Sequence, residues 1–473
     1  MINLRPYQLK LIQDIRNEFR KGHFRVVLQA PTGSGKTIIF SYIVKEASHR
    51  KKRCLILTNR IELLEQAGGV FENLGIDYEN ITASTNSIPT SLVLVAMVET
   101  VKRRVKSRLD FQMLLKSIDL LIIDEVHIAA FDPIFPYIKS DCYVIGVTAT
   151  PIRQGKKQLF DNFTSLVIGP SISSLIQEGF LSKPKYFGVT VDLSDVKIKA
   201  GEFDERDQER LYGERKLFAG LKENLALHAQ GLKTMIFCPS VNSSLQVAEE
   251  LHCLHVDGGM SPTERDKILT TFETTPGAIL TNCAITTTGY DCPSIECIVL
   301  YRATTSLPLF LQMIGRGSRV IETKRTFIIL DFGMNVQRFG FWHIDRPWSL
   351  EPPKKKSKKK DVFPIKFCPQ CGAIVSVNTK ICEYCGYIWP VTEKERVFAE
   401  LKELSYNEIQ RRMNEAKTVE EMENIRVAKG YKIGYLLHQF TQESQFEEYA
   451  KLKNYKNGWA RIQIKNYLQK IAI

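Results

Sequence analysis

A short apolar run, Arg25–Ala30, passes directly into Ala30-Pro-Thr-Gly-Ser-Gly-Lys36-Thr37, and a helix-patterned stretch, Thr37–His49, follows. A glycine-rich turn between a buried strand and a helix gathers backbone N–H groups at the positive end of that helix, which makes a phosphate site. Such a turn belongs to a parallel sheet covered by helices, where ligands bind at the carboxyl ends of the strands. Gly33 and Gly35 permit the tight turn, with Pro31, Thr32 and Ser34 completing the loop. Lys36 is placed to reach the β and γ phosphates, and the Thr37 hydroxyl to ligate magnesium. Ala30 stands where the general pattern has its first glycine.

The rest of the chain agrees with that sheet type. Arg25–Ala30, Cys54–Thr58, Val93–Met97, Leu120–Asp124 and Val144–Thr150 read as strands buried on both faces, with helix-length segments such as Arg60–Glu72 between some of them. After a more polar stretch, Leu193–Gly220, the pattern resumes in Thr234–Cys238, Gly277–Thr281, Ile295–Tyr301 and Thr326–Asp331. The expected architecture is α/β: two tandem parallel-sheet domains over residues 1–170 and 171–348. A lysine-rich linker, 349–364, a cysteine module, 365–391, and a basic helical tail, 392–473, complete the parse.

With 44% hydrophobic and 25% charged residues, the composition excludes a wholly disordered, collagen-like or membrane-embedded chain. Lysine and arginine number 65 against 52 acids, a formal charge of +13, which favours a polyanionic partner such as nucleic acid. The first residues lack the apolar core of a signal peptide, and no apolar stretch of about 18 residues occurs. A soluble, cytoplasmic protein with no membrane partner is expected.

Asp124-Glu125-Val126-His127 ends the run Leu120–Ile123, placing two carboxylates at the crevice end of a buried strand. Asp124 would hold magnesium, directly or through water. Glu125 would polarise the water that attacks the γ phosphate of ATP.

In order along the chain, Ala30–Thr37, Asp124–His127, Thr148-Ala-Thr-Pro151 and Gln312-Met-Ile-Gly-Arg316-Gly-Ser-Arg319 resemble the motifs of superfamily 2 helicases of the DEAD/DEAH-like class. Leu4-Arg5-Pro6-Tyr7-Gln8 and Thr288-Gly289-Tyr290-Asp291-Cys292-Pro293 look most like the branch related to type III restriction enzyme motors. The resemblance covers about Leu4 to Gly340 and implies roles residue by residue. Arg5, Tyr7 and Gln8 would contact the adenine. Asn59-Arg60, Glu99-Thr100 and Cys238-Pro239-Ser240 fall where the family contacts the nucleic-acid strand. Thr148 and Thr150 would couple hydrolysis to domain movement, and Gly289 and Asp291 would sense both strand and nucleotide. Arg316 and Arg319 would be arginine fingers reaching in from the second domain. The implied activity is ATP-dependent helicase or translocase work, with DNA favoured over RNA. The rivals are a duplex translocase that separates no strands and a clamp whose ATPase only switches its affinity.

Cys368-Pro-Gln-Cys371-Gly and Cys382-Glu-Tyr-Cys385-Gly are two knuckles that together supply four thiolates, so one structural zinc is expected, with iron in a rubredoxin-like site as the chemical alternative. The paired knuckles resemble a zinc ribbon. Cys54, Cys142, Cys238, Cys253, Cys283, Cys292 and Cys297 read as small core residues. The Pro352–Asp361 segment, with its run Lys354–Lys360, should insulate the ribbon from the motor. In the tail, Lys429–Tyr435 and Lys453–Trp459 share K-x-Y-K-x-G-aromatic. That repeat suits either a small helical core or a surface that tracks phosphates and stacks bases. A protein partner could dock on the ribbon or the tail.

Overall fold

The computed structural model describes residues 4–59, 61–85, 87–153, 157–283, 290–351, 363–389, 418–428, 432–437, 440–456 and 458–471. The chain divides into two compact units, Met1–Trp389 and Pro390–Ile473.

The first unit is built on two parallel sheets. Sheet one contains β1 (Arg25–Gln29), β2 (Cys54–Thr58), β3 (Glu79–Ile81), β4 (Val93–Met97), β5 (Leu120–Asp124), β6 (Tyr143–Thr148) and β7 (Ser165–Ile168), in the order β3-β4-β2-β5-β6-β1-β7. All of its pairings are parallel. Successive side chains on one strand enter opposite cores. Val27, Leu55, Leu57 and Leu121 share one cluster, while Val26, Leu28, Ile56 and Ile122 share the other. Both faces are covered, so the central strands are continuous apolar runs rather than alternating ones. Register places the site: Gln29 pairs with Thr148, and Asp124 with Val147 on the other side of β6. The loop after β1 and the carboxylates after β5 therefore flank the end of β6.

Sheet two holds β8 (Lys183–Gly188), β11 (Thr234–Phe237), β12 (Leu254–Val256), β13 (Ile279–Asn282), β14 (Cys297–Leu300) and β15 (Thr326–Asp331), in the order β12-β13-β11-β14-β15-β8 and again all parallel. Between β8 and β11 lies the polar stretch, which forms a hairpin, β9 (Ile198–Lys199) with β10 (Glu202–Phe203), and the helices Glu205–Tyr212 and Arg215–His228. These pack at the carboxyl edge of the sheet: the Thr304 hydroxyl donates to Glu202 (2.6 Å), Ala303 N–H to Gln208 (2.9 Å), and the Tyr212 hydroxyl to Phe332 O (3.1 Å). Two RecA-like domains are thus present. The stretch after β15 is anchored on sheet two by Trp342, fully buried, whose indole N–H donates to Leu311 O at 3.2 Å.

The cysteine module packs on sheet two instead of standing apart. Its strands β16 (Ile365–Phe367) and β17 (Ile374–Ser376) pair antiparallel, and Ala373 bridges Phe187 of β8. Cys368, Ala373, Val375 and Cys382 lie in one buried cluster with Phe187, Tyr301 and Leu330. A Cβ on Gly188 would sit 2.8 Å from Ile374 Cδ1, so the absence of a side chain there admits the ribbon. The expected insulation does not hold at this contact, because β8 is an edge strand that needs a cover. The segment expected to insulate, Pro352–Asp361, lies outside the described residues.

The second unit has helices Val419–Ala428, Ile433–Leu437, Glu443–Leu452 and Trp459–Ile471 around Met422, Leu436, Phe440, Phe446 and Tyr449. Glu423 is buried against them and accepts hydrogen bonds from Tyr449 (3.1 Å) and Arg426 (2.6 Å), with Lys453 at 2.5 Å. In the second copy of the tail repeat, Trp459 packs on this core and Lys453 is committed to Glu423, which is the packing alternative. Lys429, Gly430 and Tyr431 of the first copy lie outside the described residues. No helix among the described residues is long and apolar enough to cross a membrane.

Candidate nucleotide and metal sites

Glycine makes the phosphate loop possible. Gly33 and Gly35 have φ of 91° and 78°, in the left-handed region that costs other residues roughly 1–2 kcal/mol. The helix Lys36–His49 begins at once, so the loop N–H groups converge at its positive end. Ser34 is held by its own hydroxyl on Pro31 O (2.7 Å), and its carbonyl accepts from Tyr7 Oη (2.8 Å) and Gln8 Nε2 (3.1 Å). Arg5 reaches Tyr7 Oη at 3.2 Å and lies over the Phe180 ring at 4.7 Å. Arg5, Tyr7 and Gln8 are therefore gathered against the loop, as a base pocket would require.

Asp124 and Glu125 are buried at the end of β5. Glu125 has a φ of 49°, a left-handed conformation unusual for this residue type and a form of strain often stored at functional sites. Its N–H donates to Asp124 Oδ1 at 3.0 Å. Burial, reinforced by the Glu125 charge, pushes the Asp124 carboxyl up from its ordinary value. Burial acts on Glu125 in the same sense, but the His127 hydrogen bond and the charges of Lys36, His127 and Arg316 outweigh it and hold Glu125 down. The neighbours of Glu125 thus favour its charged form. His127 Nδ1 stands 3.3 Å from Glu125 Oε2 and 2.9 Å from Thr148 Oγ1. Thr148 Oγ1 in turn accepts from Thr150 N–H at 3.0 Å, so the loop after β6 is wired to the carboxylate pair. Burial pulls the Lys36 ammonium down, and Glu125 and Asp124 draw it back up.

From sheet two the helix Leu307–Gly315 delivers the arginines. A Cβ on Gly315 would fall 2.6 Å from the Thr32 side chain, so the helix end abuts the phosphate loop. Arg316 Nη1 donates to Tyr290 O. Arg319 Nε donates to Asp291 Oδ1 at 3.0 Å, while its Nη1 lies 2.6 Å from where a Gly33 Cβ would be and has no partner among the described residues. A buried guanidinium donor aimed at the phosphate loop and left unpaired fits an anion between them. Asp291 is turned to Arg319, and Gly289 lies outside the described residues.

The strand-contact candidates are less uniform. Asn59 follows β2, and Glu99 and Thr100 open the helix after β4, all at carboxyl ends of strands. Cys238 is fully buried and Ser240 caps the helix Val241–Leu251 by accepting from Ser243 N–H at 2.9 Å. Neither side chain faces outward, so any strand contact there would have to come from the backbone. Arg60 lies outside the described residues. Two residues without a motif emerge beside the arginines. Lys324, buried, donates to Pro293 O (2.7 Å), Ile295 O (2.7 Å) and Gly317 O (3.0 Å), and Ser182 binds the Arg319 turn. An isolated lysine or serine carries no sequence signal of such contacts.

The four cysteine sulfurs Cys368, Cys371, Cys382 and Cys385 lie within 4.8 Å of one another, with Cys368–Cys385 at 3.6 Å and Cys371–Cys382 at 3.8 Å. A tetrahedron with Zn–S bonds of about 2.3 Å has edges of roughly 3.8 Å, so the cluster fits zinc. Each knuckle closes alike: Gly372 N–H donates to Cys368 O and Gly386 N–H to Cys382 O, both at 2.9 Å, with φ of 68° and 77° at the glycines. Of the seven other cysteines, Cys54, Cys142, Cys238, Cys292 and Cys297 are buried, and Cys253 and Cys283 half-buried.

Residues 1–153 match the family described as type III restriction enzyme, res subunit, and residues 216–320 match the helicase conserved C-terminal domain. Residues 366–390 match uncharacterised protein family UPF0547. A 51.5 kDa protein of a Lactococcus phage is 28% identical over 390 residues, covering 80% of this chain and 81% of the phage protein. The irc3 protein of Schizosaccharomyces pombe, named as a candidate mitochondrial ATP-dependent helicase, is 31% identical over 370 residues. That match takes in 73% of this chain but only 59% of the yeast protein. Among solved structures, a fragment of a candidate HsdR subunit of a type I restriction enzyme from Vibrio vulnificus superposes with a TM-score of 0.59 at 22% identity. It covers 71% of this chain and 65% of the fragment, and shares the fold.

Proposed function

We propose that the chain, a superfamily 2 helicase with a restriction-enzyme res-type domain followed by a helicase C-terminal domain, hydrolyses ATP in the cleft between them and so drives movement along DNA. The observation that carries the reading is the unpaired Arg319 Nη1 held over Gly33, because it makes the two domains share one anion site. In this reading residues 1–170 and 171–348 are the two motor domains, 349–364 a linker, 365–391 a zinc ribbon and 392–473 a basic tail.

Arg5, Tyr7 and Gln8 hold the adenine, and the loop Pro31-Thr32-Gly33-Ser34-Gly35-Lys36-Thr37 holds the phosphates. Thr37 and Asp124 hold magnesium, which supplies charge neutralisation on the phosphate oxygens. Glu125, whose charged form its neighbours favour, accepts a hydrogen bond from the attacking water and orients it. Arg319, with Arg316 behind it, stabilises charge developing on the transferred group, a contribution worth roughly a thousandfold or more. Asp291 keeps the Arg319 guanidinium in line through its Nε. Gly289 and Asp291 would sense the bound strand and nucleotide. Cys368, Cys371, Cys382 and Cys385 hold a zinc whose role is structural, since all four positions are thiolates.

The charge of +13 suits a nucleic-acid partner, and the likeness to restriction enzyme subunits favours DNA over RNA. The same likeness supports a second reading, translocation on duplex without strand separation. A strand-displacement assay beside a triplex-displacement assay separates the two: unwinding releases a strand in the first, translocation alone only in the second. Absent turnover with retained ATP-dependent DNA binding would favour a clamp instead.

A further inference from the structure

Phe180, Leu181 and Ser182, in the connection from β7 to β8, touch three parts of the cleft at three successive positions. Phe180 stands edge-on to Tyr7, ring centroids 5.3 Å apart, with the Arg5 guanidinium 4.7 Å from its centre. Leu181 Cδ2 lies 2.7 Å from where a Gly33 Cβ would be, so it closes over the phosphate loop. Ser182 is fully buried, its N–H donating to Ser318 O and its hydroxyl to Arg319 O, both at 2.8 Å.

Resting on the reading of Arg319 as the phosphate-facing cation, we propose that Ser182 is a positioning residue that sets the register of the Arg319 turn. Phe180 is the other end of the same device and responds to occupancy of the Arg5–Tyr7–Gln8 pocket. An arginine side chain is long, and its guanidinium is useful only where both its head and its backbone are fixed. Asp291 fixes the head at 3.0 Å and Ser182 fixes the backbone. Misplacement by about 1 Å of a group that must meet the reacting atoms can cost roughly a hundredfold in rate. Phe180 and Ser182 are two residues apart, so one short segment joins the base pocket to the Arg319 turn. The segment is also the chain's path from one sheet to the other.

Steady-state ATP hydrolysis by the full chain with DNA tests this. Ser182→Ala leaves the Arg319 carbonyl unpaired and should lower kcat roughly five- to thirtyfold, with KM for ATP within about twofold of wild type. Ser182→Thr keeps the hydroxyl and should recover most of the loss. With Arg319 already replaced by alanine, Ser182→Ala should add no further loss, because it acts through Arg319. Phe180→Ala should instead raise KM for ATP and narrow the preference for ATP over ribose 5′-triphosphate, which lacks the base. If Ser182→Ala melts early, Ser182→Cys, similar in shape with a weak donor, carries the same kcat test. Unchanged kcat in the serine variants, beside a collapse in Arg319→Ala, would overturn the positioning role and leave the functional reading intact. An equal fractional loss with and without Arg319 would overturn it too. If Arg319→Ala itself turns over normally, the functional reading fails and takes this proposal with it.

Discussion

Removing zinc should loosen the second motor domain as well as the ribbon. The ribbon places Ala373, Ile374 and Val375, each at most 4% exposed, into the apolar clusters of sheet two. Full burial of an isoleucine or valine is worth about 1.5–3 kcal/mol, so the two branched side chains together contribute about 3–6 kcal/mol, an upper figure because part of the burial is within the ribbon. A segment of about 25 residues cannot hold its shape without metal, so chelation or Cys382→Ser releases these side chains from β8. For a domain of this size each kcal/mol moves the midpoint by about 2–4 °C, which gives a fall on the order of 10 °C. The assay is calorimetry on metal-loaded and stripped protein, with zinc quantified in the same samples. ATPase at 25 °C should survive and then fail at the lowered transition. One zinc lost per chain with the transition moved by less than about 2 °C would refute the coupling.

Lys36→Ala should cut ATP turnover roughly a hundredfold or more while DNA binding at low salt persists; filter binding beside a phosphate-release assay checks both. Glu125→Gln should bind Mg-ATP normally but hydrolyse it roughly 10²–10⁴-fold more slowly, holding DNA in the ATP-bound state; ATP affinity lost as severely as in Lys36→Ala would contradict its role. In the second unit, Arg426 and then Lys453 and Tyr449 hold the Glu423 carboxyl down to about 2 against the opposing effect of burial. Its folded value lies below the ordinary 4.5, so its stabilisation is present above pH 4.5 and lost as pH falls toward 2. Hydrogen-exchange protection in the helix Glu443–Leu452, normalised to the intrinsic rate, should fall across that window, and Glu423→Gln should flatten the dependence.

The interior strands were legible because parallel strands covered on both faces are nearly unbroken apolar runs. Cys54–Thr58, Val93–Met97, Leu120–Asp124 and Thr326–Asp331 begin and end where the sequence places them. The unmarked strands β3, β7, β12 and β8 are the four edges of the two sheets. An edge strand has one neighbour and tolerates polar residues and proline, as Lys183-Pro184-Lys185 in β8 does, so its pattern is weak. The loop and carboxylate residues announce themselves through local spacing, and the structure brings them together with the arginines of sheet two. Ser182, Lys324 and Phe180 act through contacts distant in sequence, and the docking of the ribbon on Gly188 depends on a side chain that is missing. Neither kind of information has a local signature.

Turnover of ATP measured with single-stranded DNA, duplex, forked DNA and RNA at one fixed salt concentration bears most directly on the proposal that the shared cleft is a nucleic-acid motor. The basal rate is expected to rise with DNA more than with RNA, and to disappear in both Lys36→Ala and Arg319→Ala. A rate indifferent to every nucleic acid, or one that survives loss of Arg319, would contradict it.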